Sequence, residues 1–443
     1  MAKRWPLYTI LLLIILFSCR RGMHPTIPEN VRQTMRKSGK NSIEFVKAIV
    51  EYRNPKDSLK LQAIYYLIAN MEGHGLRTYL LQDTTGDYVD YNIMDYASYQ
   101  DLMVAKDSME QQRGPLHFVR HYFGPDIYFA RGKDLSALVD RSFEKWRQAP
   151  WARNYSFDMF CSKMLPYKIN DALYDSLMIL NGPQKIDSDT IQSDNTFDVA
   201  GQIIAAVDSL MHFDKRFLEN PTDRTIEGWE TFPGGRAEDK AALITLVLRS
   251  AGIACAVDYV PNPRESGKEV EYWVVIWNGK GEKRFFFPFS DSLAIPQEPV
   301  KIFRRTYHTY NTPLPEDSVY RLLEYHHLKT GKYKDVTSEY YPVTNWKIAP
   351  EQMGNYNMLE PLFLAVRKHQ RWLKVDWRYF TKKQVFRELK HDERYALIDA
   401  DGKTLLRKYF RVDTSRREQS FRDGFSVVKS SFGNSILYRY ESP

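Results

Sequence analysis

The chain of 443 residues contains only three cysteines, Cys19, Cys161 and Cys255, and ten histidines. So few cysteines exclude a disulfide-rich scaffold, and no cysteines and histidines have the spacing of a zinc site. The adjacent His326 and His327 would point to opposite faces of an extended strand, which makes them a poor chelating pair. We therefore expect no metal site and no cofactor.

The sequence also lacks a long basic tract, an internal repeat and a low-complexity segment. Its formal net charge is +8, but lysine and arginine are interspersed with aspartate and glutamate. We therefore expect no nucleic-acid partner, although the charge is compatible with anionic lipid or polysaccharide. The 14% aromatic content is ample for packed β-sandwich cores. Sugar-stacking platforms are the alternative use of the Tyr and Trp residues.

No apolar run reaches the roughly 20 residues that span a bilayer as a helix. The run at 7–17 follows Lys3 and Arg4 and stops before Cys19, an order that resembles the bacterial lipobox, whose cysteine is lipidated and becomes the first mature residue. A secretory peptide with an incidental cysteine is the alternative. We expect a signal peptide at 1–18 and attachment to the bilayer through acylated, palmitate-bearing Cys19.

The residues after Cys19 are basic rather than acidic. An acidic run at that place resembles the surface-export signal of Bacteroidetes lipoproteins. Its absence favours an outer-membrane lipoprotein on the periplasmic face over one on the cell surface.

The remaining chain changes character along its length and predicts a multidomain α+β protein. Apolar residues recur with a 3.6-residue period at 43–50 and, after the break at Asn54-Pro55, again to residue 71, which predicts two adjacent helices. β-rich runs dominate after residue 253. The predicted parts are a tether at 19–40, a helical N-terminal domain at 41–190, a helix-on-sheet core at 191–312, and a β-rich, sandwich-like C-terminal region at 313–443 that forms one or two small domains.

The stretch GGRAEDKAALITLVLRSAGI, residues 234–253, is the most informative one. A Gly-rich turn leads into an apolar helix, and the strand-like runs IACAVDYV, EVEYWVVIW and KRFFFPF follow. The positive end of a helix dipole stabilises a thiolate, so a nucleophilic cysteine fits the helix start. The residue at that place is Ala237, which carries no reactive group.

The order of turn, helix and three strands resembles the transglutaminase-like core of the papain-like superfamily. In that family a cysteine opens the helix, a histidine begins the next strand as His-x-Trp, and an aspartate ends the following one. Here Ala237 stands at the cysteine position and Glu271 at the histidine position of Glu271-Tyr272-Trp273. Either Ser290 or Asp291 aligns with the aspartate.

The resemblance extends beyond the triad. The helix exit Leu248-Arg249-Ser250-Ala251-Gly252-Ile253 matches the family pattern, and the blocks at 43–75, 157–171 and 334–343 resemble large transglutaminase-like lipoproteins of Bacteroidetes. The likeness implies the fold of the family without its chemistry, since the reactive residues are the ones that differ.

Three functional hypotheses follow. The first is a catalytically degenerate protein that binds peptide or glycan or acts as a scaffold, with any ligand contacts made by Arg236, Glu238, Asp239, Glu271 and Trp273. The second is a hydrolase whose acid and base are carboxylates among Glu238, Asp239 and Glu271. Against it, Glu238 and Asp239 suit the positive helix end and would pair with a neighbouring cation such as Arg236 or Lys240.

The third hypothesis replaces the missing nucleophile by Cys255 or Cys161. Both cysteines lie in apolar contexts, DMFCSKM and GIACAVDY, which favour two separate buried thiols. A disulfide between them is the alternative in an oxidising compartment. The oligomeric state stays open.

Overall fold

The structure is a computed structural model and has the expected multidomain α+β architecture, with helices in the first half and antiparallel sheets in the second. It describes residues 27–172, 193–260, 271–289, 301–310, 331–353, 356, 360–368, 371–379, 384–391, 393–399, 401–410, 425–429 and 436–440. Cys19, His326, His327, Ser290 and Asp291 lie outside the described residues.

The helices and strands follow one another as the sequence patterns predict in most places. The α-helices are Glu29–Lys37, Ser42–Glu51, Ser58–Ala69, Tyr99–Arg113, Gly132–Gln148, Phe157–Met159, Thr196–Asp208, Ile226–Thr231 and Ala237–Ser250, and a π-helical turn occupies Phe160–Met164. The strands are β1 Gly75–Gln82, β2 Tyr88–Val89, β3 His117–Pro125, β4 His212–Phe213, β5 Gly234–Gly235, β6 Cys255–Tyr259, β7 Tyr272–Trp277, β8 Lys283–Phe286, β9 Phe303–Arg305, β10 Tyr333–Asp335, β11 Val343–Ile348, β12 Pro361–Lys368, β13 Arg371–Tyr379, β14 Gln384–Lys390, β15 Glu393–Ile398, β16 Thr404–Phe410, β17 Phe425–Lys429 and β18 Ile436–Tyr440.

The N-terminal helices pack as the 3.6-residue pattern predicts. Phe45, Ala48 and Ile49 of helix Ser42–Glu51 are buried, and helix Ser58–Ala69 buries Ile64 and Leu67 against them. The predicted pair of helices is confirmed.

The segment predicted as a tether, 19–40, contains a helix among its described residues. From Glu29 it forms a helix whose Val31 is fully buried in the main core. Ion pairs from Glu29 to Arg32 and Arg36 lie on its exposed side. The polar composition of the segment conceals the helix because one valine and one threonine supply its buried side.

The region predicted to be helical, 41–190, also contains a sheet. Strands β1, β2 and β3 form an antiparallel sheet of order β2-β1-β3. The Asp83 carboxylate accepts hydrogen bonds from the backbone N–H groups of Thr85 and Asp87 and so closes the β1–β2 turn. The turn residues Asp83 to Gly86 were the available sequence signal for this hairpin.

The core places one helix against a broad antiparallel sheet. The sheet has the order β10-β9-β6-β7-β8-β18-β17. Helix Ala237–Ser250, called the central helix below, packs on β6, β7 and helix Thr196–Asp208. Its residues from Ala237 to Arg249 are all buried. The sheet therefore extends beyond the predicted core boundary at 312, because β10, β17 and β18 join it.

The C-terminal region is a sandwich of two further sheets, β11-β14 and β13-β12-β15-β16. Strand β12 shows how both faces of the larger sheet are buried. Its Leu362, Leu364 and Val366 face the sandwich core, whereas Phe363 and Ala365 join a cluster with Tyr259 of the core and its neighbours. This two-residue alternation attaches the sandwich to the core sheet.

Candidate functional site

The chain enters the central helix through a crowded glycine turn. Strands β4 and β5 pair in parallel, with a backbone hydrogen bond of 3.0 Å from Asp214 N to Gly235 O. A Cβ on Gly235 would lie 2.2 Å from Met211 Cε and 3.3 Å from Asp239 Cβ. A side chain at this position would displace the flexible end of Met211 and crowd Asp239, so packing at the turn favours glycine whatever residue starts the helix.

The central helix begins at Ala237 with a capping box. The Arg236 backbone N–H donates to Asp239 Oδ2 at 3.0 Å. The Asp239 carboxylate thereby supplies the acceptor for the N–H group of the N-cap residue. The carboxylates of Glu238 and Asp239 lie at the positive end of the helix dipole, as the sequence predicts. Ala237 itself is 5% exposed.

Arg236 holds a buried cluster of acidic residues at this helix start. Its guanidinium forms two hydrogen bonds with Asp239, from Nε to Oδ2 at 2.9 Å and from Nη2 to Oδ1 at 2.8 Å. It also donates to Asp223 Oδ1 at 3.1 Å and to the Asn220 carbonyl at 3.0 Å. Arg236 is 2% exposed and Asp239 is fully buried. Burial, and then the nearby Glu238, raise the pKa of Asp223.

Glu238 is engaged by a second arginine. Arg305 of β9 forms an ion pair with Glu238 Oε1, and its guanidinium carbon lies 5.2 Å from the Tyr272 ring centre and 5.7 Å from that of Tyr259. Since Glu238 is 5% exposed, little of its carboxylate faces solvent. An arginine and two tyrosine rings therefore lie on this side of the Glu238 carboxylate.

The other predicted site residues, Glu271 and Trp273, lie just before and within strand β7. Glu271 is exposed just before β7, and its carbonyl accepts from Val260 N at 3.1 Å. Trp273 is fully buried and donates from Nε1 to the Tyr340 hydroxyl at 3.0 Å. The structure therefore brings Arg236, Glu238 and Asp239 together. Trp273 is placed where its ring has no exposed surface for a ligand.

The sequence predicts Arg236 or Lys240 as the partner of these carboxylates, and the structure shows Arg236 in that role while Lys240 pairs with Asp208. The more distant partners are not predicted. Arg305, Asp223 and the Arg77–Asp171 ion pair complete the acidic cluster, and Asp171 N donates to Asp223 Oδ2 at 2.9 Å. The available signal was the Arg304-Arg305 pair next to the apolar Ile302-Phe303, since charged residues are rarely buried without a partner.

A second buried network lies on the same sheet. Arg304 forms two hydrogen bonds of 2.8 Å with the Asp258 carboxylate and two of 2.9 Å with that of Glu339. Tyr340 donates to Asp258 Oδ2 at 2.6 Å, and Lys283 donates to Glu339 at 2.6 Å. This network joins β6, β8 and β9 to the segment after β10.

Removing one charge from that network changes the acid stability. Although burial opposes ionisation, Arg304 and Lys283 lower the pKa of Glu339 from 4.5 to about 2. A lowered carboxyl pKa stabilises the folded state above the unfolded pKa, and the stabilisation is lost as the pH falls through the folded one. We expect wild type to lose roughly 3 kcal/mol more than Glu339→Gln between about pH 5 and pH 2.

Urea unfolding of both proteins across this pH range measures the difference. Glu51→Gln, at the exposed end of a helix, is the control and should keep the wild-type pH dependence. Equal pH dependence of wild type and Glu339→Gln would contradict the expectation.

The two described cysteines are unpaired thiols inside the core. Cys161 is 5% exposed and Cys255 is fully buried. Burial raises the pKa of each thiol to about 12, so neither forms the thiolate that a nucleophile requires. Cys255 Sγ lies 3.5 Å from the Thr245 carbonyl, which faces it from the central helix.

These thiols should be inert in the folded protein. In the Cys19→Ser full chain we expect no fast reaction with a disulfide reagent at neutral pH, and reaction of both thiols after denaturation. Ala97→Cys, at an exposed position, is the matched control and should react at once. Fast native modification of either buried cysteine would revive the third hypothesis.

His74 is a packed residue in this structure. Its ring stacks on Tyr307 with centres 4.4 Å apart, and Nε2 lies 2.9 Å from the Tyr307 carbonyl oxygen. Burial lowers its pKa well below the usual value. Within the described part of the chain, no three His, Cys, Asp or Glu side chains are grouped so that they could hold a metal ion.

Two further findings bear on identity. In the ranges that the structure describes, no helix has the length and apolar character needed to cross a membrane. Comparison of the chain with models of protein families, with curated proteins and with solved structures gives no match.

Proposed function

We propose that this chain is a non-catalytic lipoprotein of the outer membrane, anchored through acylated Cys19, with a binding or scaffold role toward peptide or glycan. The degenerate transglutaminase-like frame is then retained for folding. The observation that carries the proposal is the helix start, where Ala237 is nearly buried and both adjacent carboxylates are bound by arginines.

Acid–base catalysis needs a group that exchanges a proton with the substrate. Both oxygens of Asp239 accept hydrogen bonds from Arg236, and Glu238 is paired with Arg305. The remaining candidate, Glu271, is exposed before β7. Nucleophilic catalysis needs an activated nucleophile within reach of a base, and alanine supplies none. These contacts support a structural role for the helix start.

Turnover measurements test the non-catalytic part. The purified full chain is incubated with casein, with glutamine-containing peptides plus a primary amine, and with soluble glycans, and products are followed by mass spectrometry. We expect none above the level of the same mixtures without protein, whereas any true turnover would be retained in Arg153→Ala, a surface variant. Turnover that disappears in Glu271→Ala or Glu238→Gln would overturn the proposal in favour of the carboxylate hydrolase.

The anchor is tested separately. We expect the N-terminal peptide from the outer-membrane fraction to begin at Cys19 and to carry acyl chains. Each CH₂ group of such a chain stabilises membrane attachment by about 0.8 kcal/mol when it is buried in the bilayer. Cys19→Ser should leave the membrane fraction. A Cys19 peptide without acyl groups would contradict the lipoprotein assignment, and protease accessibility in intact cells distinguishes the two membrane faces.

A further inference from the structure

A pocket of about 770 Å³ lies at the end of β7 that is distant from Tyr272 and the acidic cluster. Three segments line it: 150–154 before the π-helical turn, 194–197 at the start of a helix, and 278–284 at the β7–β8 turn. Its volume is within the range of about 300–1,000 Å³ that is typical of small-molecule sites. None of the residues suggested from sequence for ligand contacts lines it.

Hydrogen bonds and close packing hold the pocket walls in place. The Trp151 indole N–H donates to the Ala251 carbonyl at 3.0 Å, and the Thr196 hydroxyl donates to the Trp151 carbonyl at 3.1 Å. The β7–β8 turn approaches so closely that a Cβ on Gly279 would lie 2.4 Å from Asn154 Cβ. The pocket is therefore preformed, which reduces the entropy lost on binding.

The turn itself is fixed by its own asparagine. Asn278 Oδ1 accepts from the backbone N–H groups of Lys280 and Glu282, both at 3.0 Å, and Asn278 Nδ2 donates to Glu282 at 2.6 Å. Asn154, Asp194 and Lys280 are exposed at the rim. Within the described residues, these three side chains make no hydrogen bond or ion pair, so they are available to a ligand.

The charges of the pocket are balanced. Asp194 and Glu282 are acidic, and Lys280 and Arg284 are basic. The guanidinium carbon of Arg284 lies over the Phe197 ring, 4.3 Å from the ring centre. Lys283 is neutralised by Glu339 outside the lining. A site without excess charge of either sign gives no electrostatic preference for an anion or a cation.

We propose that this pocket binds a neutral saccharide. A partly exposed indole held in one orientation provides a flat apolar surface for a sugar ring. The amide of Asn154 and the charged groups of Asp194 and Lys280 can bind hydroxyl groups as both donors and acceptors. This inference rests on the proposed binding role but assigns it to a place other than the degenerate helix start.

Calorimetric titration of the full chain in detergent tests the site. The probes are cellobiose, maltose, mannobiose and N,N′-diacetylchitobiose, with tetra-alanine as the peptide probe. We expect at least one disaccharide to bind, and to bind about tenfold more weakly to the Asn154→Ala/Asp194→Ala variant. Arg153→Ala, next to the pocket but outside its lining, should bind like wild type.

A Trp151→Phe variant keeps an aromatic ring but removes the hydrogen bond to the Ala251 carbonyl. Thermal unfolding of each variant accompanies the titrations, so that a loss of binding is separated from a loss of stability. A folded Asn154→Ala/Asp194→Ala variant that binds like wild type would overturn the pocket and leave the binding role intact. Binding of tetra-alanine alone, or of none of the probes, would contradict the proposal that the ligand is a saccharide. Hydrolysis of a bound disaccharide would support the pocket while overturning the non-catalytic proposal.

Discussion

Replacing Arg236 by methionine is expected to destabilise the folded protein by about 4 kcal/mol at neutral pH. The guanidinium is the common partner of Asp239 and Asp223, and it lies 3.8 Å from Glu238. Without it, the buried carboxylates of Asp239 and Asp223 lose the guanidinium that they share, and Glu238 keeps its ion pair with Arg305. Breaking a buried ion pair leaves an uncompensated charge in a medium of low dielectric constant, and the energetic cost is large.

The cost should be smaller at pH 5 than at pH 7. Burial and Glu238 already raise the pKa of Asp223 in the wild type, and loss of Arg236 raises it further. A carboxyl group with a raised folded pKa binds its proton more tightly when folded, so acid favours the folded state. Urea unfolding at the two pH values measures this pH dependence, which has the opposite sign to that of Glu339.

The matched control is Arg36→Met, since Arg36 also pairs with a glutamate but is 68% exposed. Its effect should stay within about 1 kcal/mol, as for other surface ion pairs. An Arg236→Met protein with the stability of Arg36→Met would show that the acidic cluster contributes little, and would reopen the helix start as a polar cleft.

Replacing Arg249 by methionine is expected to cost about 3 kcal/mol. Arg249 donates to three carbonyl oxygens, those of Lys163 at 3.0 Å, Pro166 at 2.8 Å and Cys255 at 3.0 Å, and it is 8% exposed. The carbonyls of Pro166 and Cys255 would remain buried without this donor, and an unsatisfied buried polar group is costlier than the net value of one hydrogen bond.

Arg249→Lys separates geometry from charge. An ammonium group lacks the planar fork of a guanidinium, so lysine should restore only part of the lost stability. Arg53→Met, at an exposed position, should have an effect below about 0.5 kcal/mol. Full rescue by lysine would mean that charge alone matters at this position.

These contacts also explain the helix exit. Gly252 has a φ of 84°, and the backbone N–H of Ile253 donates to the Leu248 carbonyl at 2.9 Å. This is the bonding of a glycine-terminated helix end. The exit turn places Cys255 where Arg249 reaches its carbonyl. Leu-Arg-x-x-Gly-Ile therefore encodes a junction between helix, strand and π-helical turn.

The parts of the fold that the sequence predicts are those determined locally. The central helix was expected to start at Ala237, and the structure places its start there, because the Gly-rich turn and the acidic first turn are local signals. The paired helices after residue 41 follow from periodicity. Asp-Gly is a hairpin-type turn sequence, and Asp401-Gly402 lies between the paired strands β15 and β16, with Gly402 at a φ of 83°.

The parts that escape prediction depend on distant pairing. The local sequence of β10 does not predict that this strand pairs with β9. Likewise, the pairing of Arg236 with Asp239 is predictable because the two residues are close in sequence. Arg305 is distant in sequence and pairs with Glu238 only because the sheet brings them together. The apolar run of β7 predicts a strand but does not predict that Trp273 is fully buried. Chain topology decides each of these features, and composition does not report topology.

The pairing of β18 with β8 has a consequence for how the chain reaches its native state. Lys283 pairs with Tyr440, so this edge of the core sheet is completed by strands from the far end of the chain. Closing so long a loop slows folding. Until β17 and β18 arrive, β8 presents an open row of backbone donors and acceptors, a template for other copies. The interval before that closure is therefore when the protein is most exposed to aggregation.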